Sequence, residues 1–193
     1  LPTWTPEVEP GPLTDLDALY LRAGRLTATS LGSDPRLAIV VRFGAGYEKV
    51  DVPACTERGV VLVNSPDGTR RPVASAIVLF VLALSHRLLV KDRLTREGPP
   101  GFARKGEHMG VGLVGRTLGS IGVGNIGAEL FRLLAPFDMK LIAHDPYADR
   151  KLAAGLGVEL VGLEDLFRRA DIVSVSCPLS PETHHLVNAE RLA

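Results

Sequence analysis

The stretch Gly122-Val123-Gly124-Asn125-Ile126-Gly127 decides the fold class of this chain. An apolar, β-branched segment at Thr117–Val123 predicts a strand that leads into it, and Ala128–Ala135 predicts a helix that follows it. A G-x-G-x-x-G sequence between a strand and a helix is typical of a dinucleotide-binding α/β fold. The stretch therefore predicts a parallel sheet with a cofactor at its edge.

Each glycine of this loop has a separate physical task. Gly122 allows the tight turn, Gly124 lets the backbone approach a pyrophosphate, and Gly127 lets the helix pack closely on the strand. The amides of Asn125 and Ile126 then face the phosphates at the positive end of the helix dipole.

An acidic residue stands where the next strand ends. Asp145 follows the predicted strand Lys140–His144 and lies 145 − 124 = 21 residues beyond the second glycine. A carboxylate there accepts hydrogen bonds from the adenosine ribose hydroxyls and repels a 2′-phosphate, which favours NAD over NADP. The alternative is that Asp145 only opens a turn before Pro146. A methyltransferase shares strand, loop and acid, but it commonly lacks the third glycine.

The rest of the chain alternates short strands and helices in two regions, because each apolar run is bounded by turn residues. The boundary is expected near residue 70, which gives domains 1–70 and 71–193. The first region is expected to contain strands at Ala18–Leu21, Leu37–Val41 and Val60–Val63, a short helix within Thr27–Pro35, and a helix capped by Asp51 that ends at Gly59. The second adds a helix at Leu163–Ala170 and a strand at Asp171–Ser176.

The most apolar segment of the chain is Val73–Val90. Ser85, His86 and Arg87 interrupt it, so it predicts a long helix buried in the protein or at a subunit interface rather than a membrane span. The glycine- and proline-rich Gly98–Gly115 predicts an extended arm. Since apolar residues cover every face of the helix, we expect helix and arm to pack against a second copy in a two-fold dimer.

Composition limits the possible partners. Lys plus Arg and Asp plus Glu are both 22, so the formal net charge is +0. This balance argues against a nucleic-acid or membrane-surface protein, which needs surplus positive charge. Cys55 and Cys177 have no metal-ligand spacing and form no disulfide framework, which favours a reduced, cytoplasmic location. The start, Leu1–Pro6, has no signal-peptide pattern, and we expect the chain to be part of a longer protein.

Several spaced motifs together resemble the D-2-hydroxyacid dehydrogenases, in particular their phosphoglycerate dehydrogenase-like members. The resemblance runs in order over residues 17–193 and includes the glycine loop. The other motifs that carry it are Arg42–Gly46, Val50-Asp51, Gly59-Val60, Asn64–Pro66, Arg71–Ala74, Gly115–Gly119, His144–Pro146 and Cys177–Thr183.

The resemblance implies a Rossmann coenzyme domain and a smaller flavodoxin-like substrate domain, both incomplete in this chain. It implies that Gly44, Ala45 and Gly46 hold the substrate carboxylate on backbone amides and that Arg42 adds positive charge. A surface arginine at a strand end is the alternative for Arg42. The implied cofactor-binding residues are Ser65, Gly122, Gly124, Asn125, Ile126, Gly127, Asp145, Cys177, Pro178 and Thr183. Cys177 can equally be a small buried apolar residue.

The chain departs from the family pattern at three positions. Ser75 replaces a usual glutamate, Asn125 replaces a frequent basic residue, and Asp138 replaces a glycine, which aspartate tolerates because it can adopt left-handed backbone. The family's catalytic arginine, glutamate and histidine are expected beyond residue 193, so no catalytic residue is assigned within this chain.

These features predict an NAD-dependent oxidoreductase that interconverts a D-2-hydroxyacid and a 2-oxoacid by hydride transfer. A non-enzymatic, NAD-sensing protein similar to transcriptional co-repressors is the alternative. A third reading is a fragment without activity of its own.

Overall fold

The computed structural model describes residues 13, 15–33 and 36–192. The chain divides into two compact units, with the division in sequence between Thr69 and Arg70. Leu1–Pro6, and Pro35 at the end of the first predicted helix region, lie outside the described residues.

The first unit is built on a parallel sheet whose strands lie in chain order. The predicted strands are confirmed with small shifts of their ends, at β1 (Ala18–Leu21), β2 (Ile39–Arg42) and β3 (Val61–Asn64). The helices are α1 (Ala28–Leu31) and α2 (Val52–Glu57). The buried core between sheet and helices includes Leu21, Leu26, Leu31, Val40 and Cys55.

Side-chain caps begin both helices of this unit. Thr27 forms a capping box with Ser30, whose amide donates to the Thr27 hydroxyl at 3.4 Å. The Asp51 carboxylate accepts the Ala54 amide at 3.0 Å, so the predicted cap of α2 is confirmed. These bonds satisfy amides that have no partner within the first helical turn.

The second unit is a parallel sheet in the order β6-β5-β4-β7. Its strands are β4 (Thr117–Ile121), β5 (Lys140–His144), β6 (Val158–Leu160) and β7 (Ile172–Val175). The strand order reverses direction between β4 and β7, and ligands of open parallel sheets bind at the carboxyl ends of strands beside such a reversal. The strand β4 confirms the prediction of a strand at Thr117–Val123. It ends earlier, at Ile121, because Gly122 turns the chain.

The helices of the second unit are partly those that the sequence predicts. Here α6 (Asn125–Leu134) begins inside the glycine loop, three residues earlier than predicted, and α8 (Leu163–Arg169) is confirmed. Two short helices, α7 (Arg150–Gly155) and α9 (Ala189–Leu192), and the three-residue strand β6 were not predicted. The predicted left-handed conformation of Asp138 is confirmed by its φ of 52°.

The long apolar helix differs from its predicted bounds. It forms as α3 (Pro66–Ser85) and α4 (Leu88–Arg96). The first helix starts early because proline is favourable in a first turn, and the predicted continuation to Val90 is wrong because Arg87 adopts a left-handed φ of 52°.

The predicted extended arm is also wrong in part. Residues 98–115 contain α5 (Pro99–Ala103) and a 3₁₀ turn at Lys105–His108. A Cβ atom added to Gly101 would lie well under 3.0 Å from the Leu94 carbonyl oxygen, so α5 packs directly on α4. Proline at the start of α5 and glycine at its contact with α4 therefore build a helix from a sequence typical of a loop.

A buried carboxylate joins α3 to α6 within the second unit. The Glu129 side chain is only 8% exposed, and it accepts Arg71 at 2.5 Å and Arg132 at 3.2 Å. The Arg71 hydrogen bond is the main cause that holds the pKa of the Glu129 carboxyl below its usual value. A buried charge that loses its partners is strongly destabilising, so this cluster ties α3 to the fold.

We expect Glu129→Gln to lower the thermal unfolding midpoint at about pH 7 and to remove a pH-dependent part of the stability. Because the folded pKa is depressed, the carboxylate stabilises the fold above its ordinary value of 4.5, and that contribution is lost as the pH falls through the folded pKa. Unfolding midpoints of wild type and variant should therefore converge on acidification. Asp92→Asn, which removes an exposed pair with Arg96, is the control and should change the midpoint less. Parallel pH profiles for wild type and Glu129→Gln would contradict the assignment.

Candidate cofactor site

The register of the second sheet brings three strand ends together. Ile121 at the end of β4 pairs with His144 of β5 on one side and Val175 of β7 on the other. The Gly122 amide donates to the His144 carbonyl at 2.9 Å, and the Ser176 amide donates to the Ile121 carbonyl at 2.8 Å. The residues that follow these strands therefore form one contiguous edge.

The three glycines of the loop meet different surroundings. Gly122 has a φ of +101°, and an added Cβ atom would lie 3.0 Å from the Ser176 carbonyl carbon. A Cβ atom on Gly127 would lie well under 3.0 Å from the Gly122 carbonyl oxygen, whereas one on Gly124 would project into open space. Two glycines thus allow packing, and the third leaves room beside the backbone.

The open space at Gly124 lies at the start of α6. Asn125 is exposed and Ile126 half-buried, and they are the first two residues of this ten-residue helix. The amides of a first helical turn have no intrahelical acceptor and lie at the positive end of the dipole. The residues present therefore fit a pyrophosphate, and the Asn125 and Ile126 amides would hold it.

Asp145 connects the glycine loop to the end of β5. Its Oδ2 accepts the Val123 amide at 2.9 Å, and its Oδ1 accepts the Tyr147 amide at 2.9 Å. The second bond closes a turn around Pro146, which is the turn that the alternative interpretation of Asp145 predicts. Both interpretations are compatible, because each carboxylate oxygen keeps a second lone pair for a ribose hydroxyl.

The loop after β7 lies against the first glycine. The Cys177 amide nitrogen would be 3.1 Å from a Cβ atom on Gly122. The Thr183 hydroxyl donates to the Pro178 carbonyl at 2.7 Å and accepts the Ser180 amide at 2.7 Å, which holds the loop in shape. Cys177 is a free, half-buried thiol.

A cavity of about 270 Å³ opens beside Asp145. This volume lies just below the range of about 300–1,000 Å³ that is typical of small-molecule sites. Its lining is His144, Asp145, Pro146, Ala148, Arg150, Leu160 and Val161. Apart from Asp145 and its neighbouring motif residues, sequence reasoning missed this lining, because Leu160 and Val161 belong to β6 and the loop after it.

The expected substrate loop lies in the first unit, at the ends of β2 and β3. Gly44 has a φ of +99°, its carbonyl accepts the Ser65 amide at 3.0 Å, and the Asn64 side chain donates to the Ala45 carbonyl at 2.8 Å. These bonds fix the loop through its carbonyls, and within residues 13, 15–33 and 36–192 its amides donate to no side chain. A Cβ atom on Gly46 would meet only the end of the flexible Glu48 side chain, at 2.5 Å.

Arg42 donates its hydrogen bonds to backbone carbonyls in this structure. Its Nη1 donates to the carbonyls of Leu21 at 3.3 Å and Arg22 at 2.8 Å, and also to that of Phe43. Its guanidinium thus closes the carboxyl ends of β1 and β2, which agrees with the alternative of a strand-end arginine. The charge remains at that edge, beside the loop of residues 44–46.

The predicted site residues therefore fall into two groups. The glycine loop, Asp145 and the loop at residues 177–183 come together in the second unit. Arg42, the loop at residues 44–46 and Ser65 come together in the first unit.

Comparison with known proteins agrees with this geometry. Residues 78–193 match the family described as "D-isomer specific 2-hydroxyacid dehydrogenase, NAD binding domain". This chain belongs to that family and carries its NAD-binding domain, so its cofactor is NAD.

Two curated relatives show the range of activities. The D-3-phosphoglycerate dehydrogenase of Mycobacterium tuberculosis is 38% identical over 180 residues, which cover 93% of this chain and 34% of that protein. The glyoxylate reductase of Aeropyrum pernix is 34% identical over 183 residues, which cover 92% of this chain and 55% of that protein. The chain thus spans about a third to about half of the length of these relatives.

Solved structures have the same fold. The apo D-lactate dehydrogenase from Escherichia coli has a TM-score of 0.76 at 29% identity, covering 92% of this chain and 56% of that one. The D-lactate dehydrogenase from Aquifex aeolicus, complexed with NAD and lactic acid, has a TM-score of 0.82 at 27% identity, covering 93% and 54%.

We expect Gly127→Ala to lower the stability of the fold and Gly124→Ala to weaken NADH binding. Gly127→Ala should destabilise the fold by about 1–3 kcal/mol, because its methyl group collides with the Gly122 carbonyl. Gly124→Ala should change stability by less than about 0.5 kcal/mol but weaken NADH binding, because its methyl group enters the space beside the backbone. Denaturant unfolding and NADH fluorescence titration measure the two effects. Full stability of Gly127→Ala, or unchanged NADH binding by Gly124→Ala, would contradict these roles.

Proposed function

We propose that the protein containing this chain is an NAD-dependent oxidoreductase that interconverts a D-2-hydroxyacid and a 2-oxoacid. The observation that carries the proposal is the bond between the Val123 amide and Asp145, which joins glycine loop and acid at the reversal of the parallel sheet. The chain's membership of the family supports the reaction class.

In this mechanism the residues of this chain bind and orient the cofactor. The Asn125 and Ile126 amides hold the pyrophosphate, and Asp145 holds the adenosine ribose. When bound, NAD supplies the hydride acceptor at C4 of its nicotinamide, and NADH the hydride donor. The loop after β7, kept in shape by Thr183, borders the same edge of the sheet. Proton transfer is assigned to no residue of this chain.

The substrate carboxylate binds, in this proposal, at residues 44–46. A glycine-rich turn presents amides to an anion, and the two glycines that flank Ala45 have no Cβ to hinder approach. Arg42 contributes positive potential there while its Nη1 stays on the carbonyls of Leu21 and Arg22. A second anionic group on the substrate, such as a phosphate, would gain most from that charge.

Turnover of NADH with 2-oxoacids by the full-length protein tests the proposed reaction. We expect oxidation of NADH with at least one of glyoxylate, pyruvate or 3-phosphohydroxypyruvate, followed at the NADH absorbance band. Gly46→Val should raise KM by about tenfold or more, equivalent to about 1.4 kcal/mol, because its side chain crowds the carboxylate. The fold should tolerate it, since the added Cβ atom displaces only the end of the flexible Glu48 side chain.

NADH binding by Gly46→Val is the control and should stay within about twofold of wild type. Tight NADH binding without turnover of any 2-oxoacid would overturn the enzymatic proposal in favour of an NAD-sensing protein. Turnover with an unchanged KM in Gly46→Val would instead overturn the placement of the carboxylate.

We also propose that α3 and the segment after it form a homodimer interface. One face of α3 packs into the core of the second unit through Ala74 and Val81. Leu79, Phe80 and Leu84, outside this buried face, are 56%, 63% and 73% exposed. Apolar exposure continues along the next segments at Leu88, Leu89, Phe102, Met109, Val111 and Val114.

A second copy explains this surface better than a bilayer. By length and composition, α3 is one helix that could cross a membrane, with 17% of its most apolar stretch buried. Its Ala74 and Val81 are fully or almost fully buried in the domain core, and Arg71 is paired with Glu129, so insertion would break the fold. Many exposed apolar residues on a folded domain are typical of a protein–protein interface.

Phe80→Glu should therefore convert a dimer into a monomer, because it places a charge in the apolar interface. Sedimentation velocity of the full-length protein at micromolar concentration measures this change. Leu192→Glu, which changes an exposed leucine of α9, is the control and should leave the dimer intact. A monomeric wild-type protein would contradict the interface.

We also propose a cytoplasmic location, since Cys55 and Cys177 are both free thiols.

A further inference from the structure

The cavity beside Asp145 contains an arginine as well as the carboxylate. Arg150, the first residue of α7, and Asp145, at the end of β5, line the same space of about 270 Å³. Pro146, Leu160 and Val161 provide apolar walls that suit a flat base. One cavity thus holds opposite charges on residues five positions apart in sequence.

The Arg150 guanidinium has no carboxylate partner among residues 13, 15–33 and 36–192. The neighbouring Asp149 carboxylate is engaged elsewhere, since it accepts the Lys151 amide at 2.8 Å and the Leu152 amide at 3.2 Å. A cation in the first turn also opposes the helix dipole, so the stability of α7 does not account for it. The charge of Arg150 is therefore available to a ligand in the cavity.

The Asp145 carboxylate, by contrast, already accepts hydrogen bonds within the protein. Both of its oxygens accept backbone amides, one from Val123 and one from Tyr147. These two bonds offset part of the negative charge and hold the carboxylate against the loop. The repulsion that Asp145 exerts on a phosphate in the cavity is reduced accordingly.

An arginine close to the adenosine ribose is the group that accommodates the 2′-phosphate of NADP, because its planar fork donates two hydrogen bonds to phosphate oxygens. We propose that Arg150 is a specificity-determining residue of the cofactor site, where it binds the 2′-phosphate, so that the domain accepts NADP(H) in addition to NAD(H). This inference rests on the proposed function and refines its cofactor range.

Calorimetric titration of the full-length protein with two adenine nucleotides tests the inference without turnover. The probes are adenosine 2′,5′-bisphosphate, which carries the 2′-phosphate, and AMP, which lacks it. We expect Arg150→Ala to weaken binding of the bisphosphate by about tenfold and binding of AMP by less than about twofold. The same variant should weaken NADPH and spare NADH in fluorescence titrations.

Two further variants separate the charge of Arg150 from general effects. Lys151→Ala removes an equal charge from the adjacent position of α7, outside the cavity lining, and should leave the ratio of the two affinities unchanged. Asp145→Ala should weaken NADH far more than NADPH, because it removes the ribose acceptor and the remaining repulsion together.

Equal weakening of both nucleotides by Arg150→Ala would overturn the inference, since it would indicate stacking on the adenine or local unfolding. No effect of Arg150→Ala on the bisphosphate, or no binding of the bisphosphate to wild type, would overturn it as well. Those results leave the proposed function intact if NADH still binds. Failure of wild type to bind NADH would overturn both.

Discussion

The cofactor site depends on the parallel register that aligns the ends of β4, β5 and β7. Because Ile121 pairs with His144 and with Val175, the backbone of the glycine loop, the acid and the loop after β7 meet without long side chains to bridge them. The bond from the Val123 amide to Asp145 then couples loop and acid directly. A shift of register by one residue would separate these groups and move every side chain of the strand to the other face of the sheet.

Electrostatic balance is arranged differently in the core and in the site. Glu129 is buried, and the arginines of α3 and α6 neutralise it, so its charge contributes to the connection between elements. Asp145 accepts hydrogen bonds from backbone amides instead. In the part of the chain that the structure describes, no carboxylate pairs with Arg150. The buried Glu129 cluster thus ties α3 to α6, whereas the charges of Asp145 and Arg150 line a cavity and are the ones proposed to meet a ligand.

The apolar composition of α3 serves two surfaces. One face completes the core of the NAD-binding domain, and the exposed residues outside that face are followed by further exposed apolar residues in the next segment. Arg87 turns the chain between α3 and α4, and Gly101 allows α5 to pack on Leu94 of α4. The proposed dimer would bury the side that the domain itself leaves exposed.

The sequence alone determined the features that local rules control. Alternation of apolar runs and turn residues located most strands, Asp51 identified the start of α2, and the glycine loop with Asp145 predicted NAD, which the family confirms. Only the tertiary structure showed that β6 and Val161 form a wall of the cavity and that Arg150 lies in it, since these residues are joined by a crossover rather than by a local pattern. It also showed that Arg42 donates to the carbonyls of Leu21 and Arg22 at the end of β1, about twenty residues away in sequence, because that contact arises only when the two strands pair.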